Sequence, residues 1–363
     1  MNKYYSLKNI LSKDCQYNLI IGERSNGKTY SVLEYGVKSY FENGGQLAIV
    51  RRWKEDITGR RASDIFSSIN QNKLVYKYSN GEYTGITYYA SKFYVCNYDE
   101  NNKPIYNLET DCIAYTFALS DTEHNKSISY PKITTIMFDE FLTKYVYLND
   151  EFILFMNTVS TIVRDRNNVK IFMLGNTVNK YSPYFDEMGI TNIQKMEQGT
   201  IDIYTYGDSK LRVAVEYCAT LKHKKKSNYY FAFNNPKLNM ITGGEWEFNI
   251  YPHIPFKYTH KDIIFTYFIE FYNEIFQCEI IKHEGLLYTY IHKKTTPLKN
   301  KSTDLIYSLD YHIGLNYNRN IFKPTNELQQ NVLWFIKNDK VFYQSNEVGE
   351  SINNYFKVCK GVN

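Results

Sequence analysis

An apolar run, Tyr17 to Gly22 (YNLIIG), leads directly into Gly22-Glu23-Arg24-Ser25-Asn26-Gly27-Lys28-Thr29, which satisfies G-x-x-x-x-G-K-[ST] in full. No other feature restricts the fold of this chain as much. The pattern works only where a buried strand delivers the chain into a tight turn with converging N–H groups. Glycines must stand where a Cβ would block an anion, and a helix N-terminus must face the same point. The helix is expected from Lys28 to Phe41, with Leu33, Val37, Tyr40 and Phe41 on one side. Asn43-Gly44-Gly45 stops it, and Gln46 to Val50 (QLAIV) reads as a second buried strand running into Arg51-Arg52-Trp53-Lys54. The chain therefore opens as a βαβ unit. In such a loop Gly22, Arg24, Ser25, Asn26 and Gly27 surround a triphosphate, Lys28 bridges its β- and γ-phosphates, and the Thr29 hydroxyl joins a Mg²⁺ shell.

Two further apolar runs read as interior parallel strands. Ile133 to Phe138 (ITTIMF) ends in Asp139-Glu140, and Val169 to Leu174 (VKIFML) ends in Gly175-Asn176. Open α/β sheets collect ligands at strand C-termini, so Asp139 is placed to hold Mg²⁺. Glu140 points to the other side of the strand end and is placed to polarise an attacking water. Asn176 is placed to sense the γ-phosphate or hold that water. Between these runs Glu151 to Val163 puts Phe152, Phe155, Met156, Val159 and Val163 at helical spacing and ends in Arg164-Asp165-Arg166. These arginines suit an arginine finger, although on sequence alone complementing the helix dipole is the simpler role.

At 363 residues the chain exceeds the usual single core, and two domains are expected. Their boundaries read as 1–218 for an α/β nucleotide-binding domain, 219–254 for a connecting region and 255–363 for a smaller α+β domain. Lys73 to Ala118 is Tyr-rich and β-branched, and reads as hairpins inserted on the surface. From Ile263 onward IIFTYFIEF, FQCEIIKH, GLLYTYIH and DLIYSLDY read as adjacent strands, followed by a helical tail from Glu347 to Val358. The net charge of +5 lies in the second part of the chain, where residues 222–363 hold 18 Lys and Arg against 13 Asp and Glu. Lys222, Lys224, Lys225 and Lys226 (KHKKK) are candidates for phosphate contact, as are Lys126 and Lys132, which flank the loop before the Asp139 strand; a solvated loop is the equal alternative for each. No run approaches the ~18 apolar residues of a membrane span, and the N-terminus lacks a signal-peptide core. The six cysteines are scattered and never form a C-x-x-C pair, so neither a zinc ribbon nor a disulfide framework is indicated.

GERSNGKT, AIVRRWK, ISYPKITTIMFDEF and TVSTIVRDRNNVKIFMLGNTVNKYSPYF follow in that order. Together they resemble the genome-packaging ATPases of small short-tailed bacteriophages whose linear DNA carries a covalent terminal protein. The likeness covers most of residues 15–190. Its most specific parts are Arg24 within the phosphate loop, the Arg-Arg-aromatic-Lys segment and the Arg-x-Arg segment. The resemblance implies a P-loop NTPase of the ASCE, RecA-like type with inserted hairpins, followed by a vestigial RNase H-like domain that binds nucleic acid. It further implies ATP and Mg²⁺ as cofactors and a homo-oligomeric ring, a pentamer by family likeness. The ring's partners would be double-stranded DNA, the procapsid portal and a small structural packaging RNA. The implied place is the host cell cytoplasm and, transiently, the procapsid, with no membrane partner. Arg164 becomes the favoured finger across the subunit boundary, and Lys54 a second interface residue. In the C-terminal part Glu270, Asp304 and Asp310 are too few for two-metal nuclease chemistry, and no nuclease activity is expected.

Two other readings share the nucleotide-binding features. A ring helicase would need a strand-separating element or a single-strand stacking groove. A non-catalytic scaffold would bind nucleotide without using Glu140.

Overall fold

In the computed structural model a short helix α1 (Lys8–Leu11) precedes β1 (Tyr17–Gly22), α2 (Lys28–Asn43) and β2 (Gln46–Arg51). Three small helices, α3 (Gly59–Ser63), α4 (Ser67–Gln71) and α5 (Leu74–Tyr78), lead to strands β3 (Gly85–Tyr89), β4 (Lys92–Tyr98), β5 (Pro104–Ile105) and β6 (Cys112–Ala118). The chain then forms β7 (Ile133–Asp139), α6 (Glu151–Val163), β8 (Lys170–Asn176), α7 (Pro183–Glu187), β9 (Thr200–Tyr206) and β10 (Leu211–Tyr217). The structure describes residues 4–121, 128–144, 147–207, 209–219, 246, 249–272 and 274–361. Lys126, Lys222, Lys224, Lys225, Lys226 and most of the expected connecting region 219–254 lie outside the described residues. The chain divides into two units, Met1–Glu247 and Phe248–Asn363.

The first unit is built on one sheet in the order β3-β4-β6-β2-β7-β8-β1-β10-β9, with β5 on β4. From β6 to β10 along this order every pairing is parallel. These strands are sealed on both faces, and β1 is buried at every position, as its unbroken apolar run requires. The order has one consequence for function: β8 separates β1 from β7. Gly22 pairs with Asn176 across β1 and β8, and Asp139 pairs with Leu174 across β7 and β8. The phosphate loop, Asn176 and Asp139 thus emerge side by side at one sheet edge.

The region from Lys73 to Ala118 differs from its expectation as surface hairpins. Its first residues are helical, and β3, β4 and β6 extend the main sheet, with β6 parallel to β2. Ile86, Phe93, Val95, Ile113 and Ala114 join the same core as Val32, Leu33 and Val37 of α2. Tyr78, Tyr83 and Tyr88 pack against the rim of that core and turn their hydroxyls toward polar partners, while Tyr76, Tyr89 and Tyr98 are exposed.

The second unit carries an antiparallel meander, β11 (Ile263–Phe271), β12 (Glu274–His283) and β13 (Leu286–Lys294). Strands β14 (Ile306–Ser308) and β15 (Tyr317–Asn318) extend it in parallel beyond β11, and β16 (Val341–Tyr343) lies parallel to β13. The order is β15-β14-β11-β12-β13-β16. Tyr267, Tyr307, Tyr355 and Cys278 are fully enclosed. A helix at Glu327–Lys337, capped by the Asn326 side chain on the Gln329 N–H, precedes the C-terminal helix Asn346–Gly361.

Candidate active site

The turn between β1 and α2 is shaped by its second glycine. Gly27 sits at φ +95° as the N-cap of α2, a conformation that a side chain would strain. A Cβ there would also meet the Tyr4 Cβ at 3.2 Å. Lys28 is buried, and its ammonium donates to the carbonyls of Gly22 (3.2 Å) and Glu23 (2.8 Å) and to Asn176 Oδ1 (3.3 Å). The Asn26 side chain accepts from the Lys28 N–H at 3.2 Å. The Thr29 hydroxyl donates to Asp139, lying 3.3 and 3.2 Å from its two carboxylate oxygens. Burial pushes the Asp139 carboxyl above the ordinary aspartate range, against the opposing charge of Arg51. Arg24, Ser25, Asn26, Lys28, Thr29, Asp139, Glu140 and Asn176 all line one cleft of about 750 Å³. The Gly22 contribution is its carbonyl, which sets the Lys28 ammonium.

The end of β2 supplies what sequence reasoning missed. Both arginines border the cleft, but they take different partners. Arg51 turns into the cleft, where its guanidinium bonds Asp139 Oδ2 at 2.7 Å and Glu140 Oε2 at 2.9 Å. Arg52 turns inward and is 7% exposed; it pairs with the fully enclosed Glu151 side chain at 2.7 Å and also donates to the carbonyls of Glu140 and Phe141. Glu140 itself stands at φ +63°, a left-handed conformation for a residue with a side chain, while its carboxylate is 61% exposed. The doublet Arg51-Arg52 at the end of an apolar run was the available signal. Its division of labour required knowing that β7 lies alongside β2.

The remaining expected residues lie away from the cleft lining. Lys54 bonds Asp121 at 2.6 Å and is exposed. Arg164 is exposed, sits at φ +50° and ψ −126° just past α6, and donates to the Ile128 carbonyl at 3.1 Å. Arg166 is instead spent on four carbonyls: Tyr130 (3.1 Å), Pro131 (2.9 Å), Ile133 (2.6 Å) and Ile162 (2.6 Å). Lys132 is exposed. In the second unit Glu270 lies 3.7 Å from His312. Among the described residues no group of three or more His, Cys, Asp or Glu side chains is arranged to hold a metal ion, and no helix is long and apolar enough to cross a membrane.

The donor set fits a magnesium nucleotide: a lysine held by loop carbonyls at the base of a left-handed glycine turn, and a hydroxyl facing a buried carboxylate whose neighbour is a second carboxylate. With a strand inserted between the phosphate-loop strand and the Asp-Glu strand, the first unit has a P-loop NTPase fold. The match to a profile of the podovirus DNA encapsidation protein (Gp16) family runs over residues 1–205. The chain belongs to that family. It is 27% identical over 189 residues to the DNA packaging proteins of Bacillus phages phi29 and PZA, covering 50% of this chain and 49% of each relative. It thus spans about half the length of the curated relatives it matches. Its fold is similar to a chain of the bacteriophage phi29 viral genome packaging motor assembly, with a TM-score of 0.59 at 19% identity over 99% of both chains. It is likewise similar to the phi28 gp11 DNA packaging motor, with a TM-score of 0.52 at 18% identity, covering 100% of this chain and 98% of the other.

Proposed function

We propose that this chain is the ATP-hydrolysing subunit of a motor that drives double-stranded viral DNA into a preformed procapsid. The observation that carries the reading is the convergence of Lys28, Thr29, Asp139, Glu140 and Asn176 at one sheet edge in a member of the encapsidation family. Lys28 and the loop N–H groups hold the phosphates, and Asn176 fixes the Lys28 ammonium. Thr29 and Asp139 would hold Mg²⁺, which when bound neutralises phosphate charge. Glu140, released from Arg51, takes the proton of the attacking water. The subunits act as a ring, a pentamer by family likeness, on the portal vertex with a small structural RNA. In it Arg164 and Lys54 serve the interface, with Arg164 stabilising the neighbour's transferring phosphoryl group. The second unit is a vestigial RNase H-like domain that binds nucleic acid without cutting it, a reading supported by the β13-β12-β11-β14-β15 order and by Glu270 facing a histidine rather than other carboxylates. Duplex is gripped through phosphates by lysines such as Lys126, Lys132, Lys222, Lys224, Lys225 and Lys226, so binding falls steeply with salt. The protein works in the host cytoplasm and on the procapsid.

The deciding experiment compares wild type with Glu140→Gln in the presence of procapsids, packaging RNA and linear duplex. Wild type is expected to release phosphate and protect DNA from nuclease; the variant is expected to bind ATP and do neither. Equal turnover by both proteins would refute the assignment of Glu140. Strand separation without packaging would transfer the chain to the helicases.

A further inference from the structure

Glu140 is aimed by something other than its own conformational preference. A non-glycine residue at φ +63° is strained and persists only where its surroundings over-determine it. The side-chain contact to Arg51 does not fix the main chain. The main chain here is held by the Phe141 N–H, which donates to the Leu174 carbonyl at 3.2 Å, and by Arg52, whose Nη1 donates to the Glu140 carbonyl at 3.2 Å and whose Nη2 donates to the Phe141 carbonyl at 2.8 Å. Arg52 is held in turn by Glu151, with Nε to Oε2 at 2.7 Å and Nη2 to Oε1 at 2.8 Å. Each Glu151 oxygen takes a second donor: Oε1 the Tyr184 hydroxyl at 2.8 Å, and Oε2 the Leu148 N–H at 2.8 Å. The Tyr147 ring lies 5.1 Å from the Arg52 guanidinium. Arg52 therefore grips the segment from Glu140 to Glu151 at both ends.

We propose that Arg52 and Glu151, with Tyr184, form a positioning unit that presets the Glu140 main chain so that its carboxylate reaches the attacking water once Arg51 lets go. A stabilising role alone does not account for it, because a buried ion pair can be replaced by apolar side chains of similar volume at little cost or with a gain. What an apolar replacement cannot supply is two donors at fixed angles to two successive carbonyls. Lysine in place of Arg52 keeps the charge but loses the planar fork. The proposal rests on the reading of Glu140 as the base, and the tests separate the two.

Arg52→Lys is expected to lower kcat for DNA-stimulated hydrolysis by about 10- to 100-fold, the scale of a small misplacement of a reacting group, while KM and the dissociation constant of an ATP analogue stay within about threefold. Tyr184→Phe guards against a folding failure. It keeps the ring among Phe138, Phe141 and Phe155 and removes only one donor to Glu151; a smaller loss of kcat, again without a change in analogue binding, is expected. In single-turnover measurements, Arg52→Lys added to Glu140→Gln should cause no further loss, because both changes act through one carboxylate. If Glu140→Gln is inactive while Arg52→Lys and Tyr184→Phe turn over like wild type and differ only in melting temperature, the positioning proposal is wrong and the base stands. A full additive loss in the double variant would also overturn it. Wild-type turnover by Glu140→Gln would instead remove the reading on which the proposal rests.

Discussion

The two arginines of Arg164-Asp165-Arg166 should respond to mutation in opposite ways. Arg166 makes four charge-assisted bonds to carbonyls, at 2.6 to 3.1 Å, tying the stretch before β7 to the last turn of α6. A hydrogen bond to a charged group contributes about 1.5–3 kcal/mol, and four that share one partly exposed side chain do not add. Arg166→Ala is therefore expected to destabilise the fold by about 2–4 kcal/mol, lowering the thermal midpoint by roughly 4–16 °C for a unit of this size. Arg164 makes one exposed bond from a strained backbone at φ +50° and ψ −126°. Glycine relieves strain of this kind, which amounts to about 1–3 kcal/mol. Arg164→Gly should accordingly melt at or above the wild-type temperature, yet abolish hydrolysis in uniform rings. Mixing it with Lys28→Ala subunits should restore some activity, since the two defects then face each other across one boundary. Differential scanning calorimetry and phosphate-release kinetics on the same preparations are the assays. An Arg164→Gly protein that melts several degrees low, or an Arg166→Ala protein that melts like wild type, would refute the division of roles. So would mixed rings that co-assemble and stay silent.

Gly175→Ala would place a Cβ 2.8 Å from Leu142 Cδ1 and 2.9 Å from Phe141 Cε1; overpacking of about 1–3 kcal/mol is expected, with weaker ATP-analogue binding as Asn176 is displaced from Lys28, read by calorimetry and a binding titration. In the second unit His292 lies 3.5 Å from Glu279, which also accepts from Tyr258 and Gln277. The bond to Glu279 raises the His292 pKa. Burial would raise Glu279, but the bonds from His292, Tyr258 and Gln277 bring it below its ordinary value. The histidine contribution is complete below its unfolded pKa and disappears as pH rises through its folded one; the glutamate contribution is present above its unfolded pKa and disappears as pH falls through its folded one. Melting of the full chain is thus expected to show a stability advantage over His292→Gln that is largest between the ordinary Glu and His values and is lost as pH rises through the raised pKa of folded His292. An advantage independent of pH would contradict this linkage.

The strands legible in the sequence are those whose residues form an unbroken apolar run. β1, β2, β7 and β8 read as unbroken apolar runs because both faces of the sheet are covered, and α6 read to the residue because Phe155, Val159 and Ile162 face the core. Helices α3, α4 and α5 were missed because five residues show no period. β9 passed unnoticed because it is half exposed, mixing polar and apolar residues without a buried run, and β10 was missed although Val213 to Tyr217 are buried, because Arg212 and Glu216 interrupt its apolar residues. Helix Glu327–Lys337 was missed although Asn326 and Glu327 open it as a cap should. In the site, Lys28, Thr29, Asp139, Glu140 and Asn176 were legible because each ends or follows a recognisable strand. Arg51, Arg52, Glu151 and Tyr184 were not, because their partners lie far away in the chain and only the strand order joins them.

Helix α6 begins with the carboxylate that anchors Arg52 and is followed at once by Arg164. Its thirteen residues, EFILFMNTVSTIV, span about 20 Å and contain neither glycine nor proline, so the segment tilts as a stiff rod rather than bending. In the proposed ring, such a rod would link the Glu151 end, anchored on Arg52, to Arg164 at its other end.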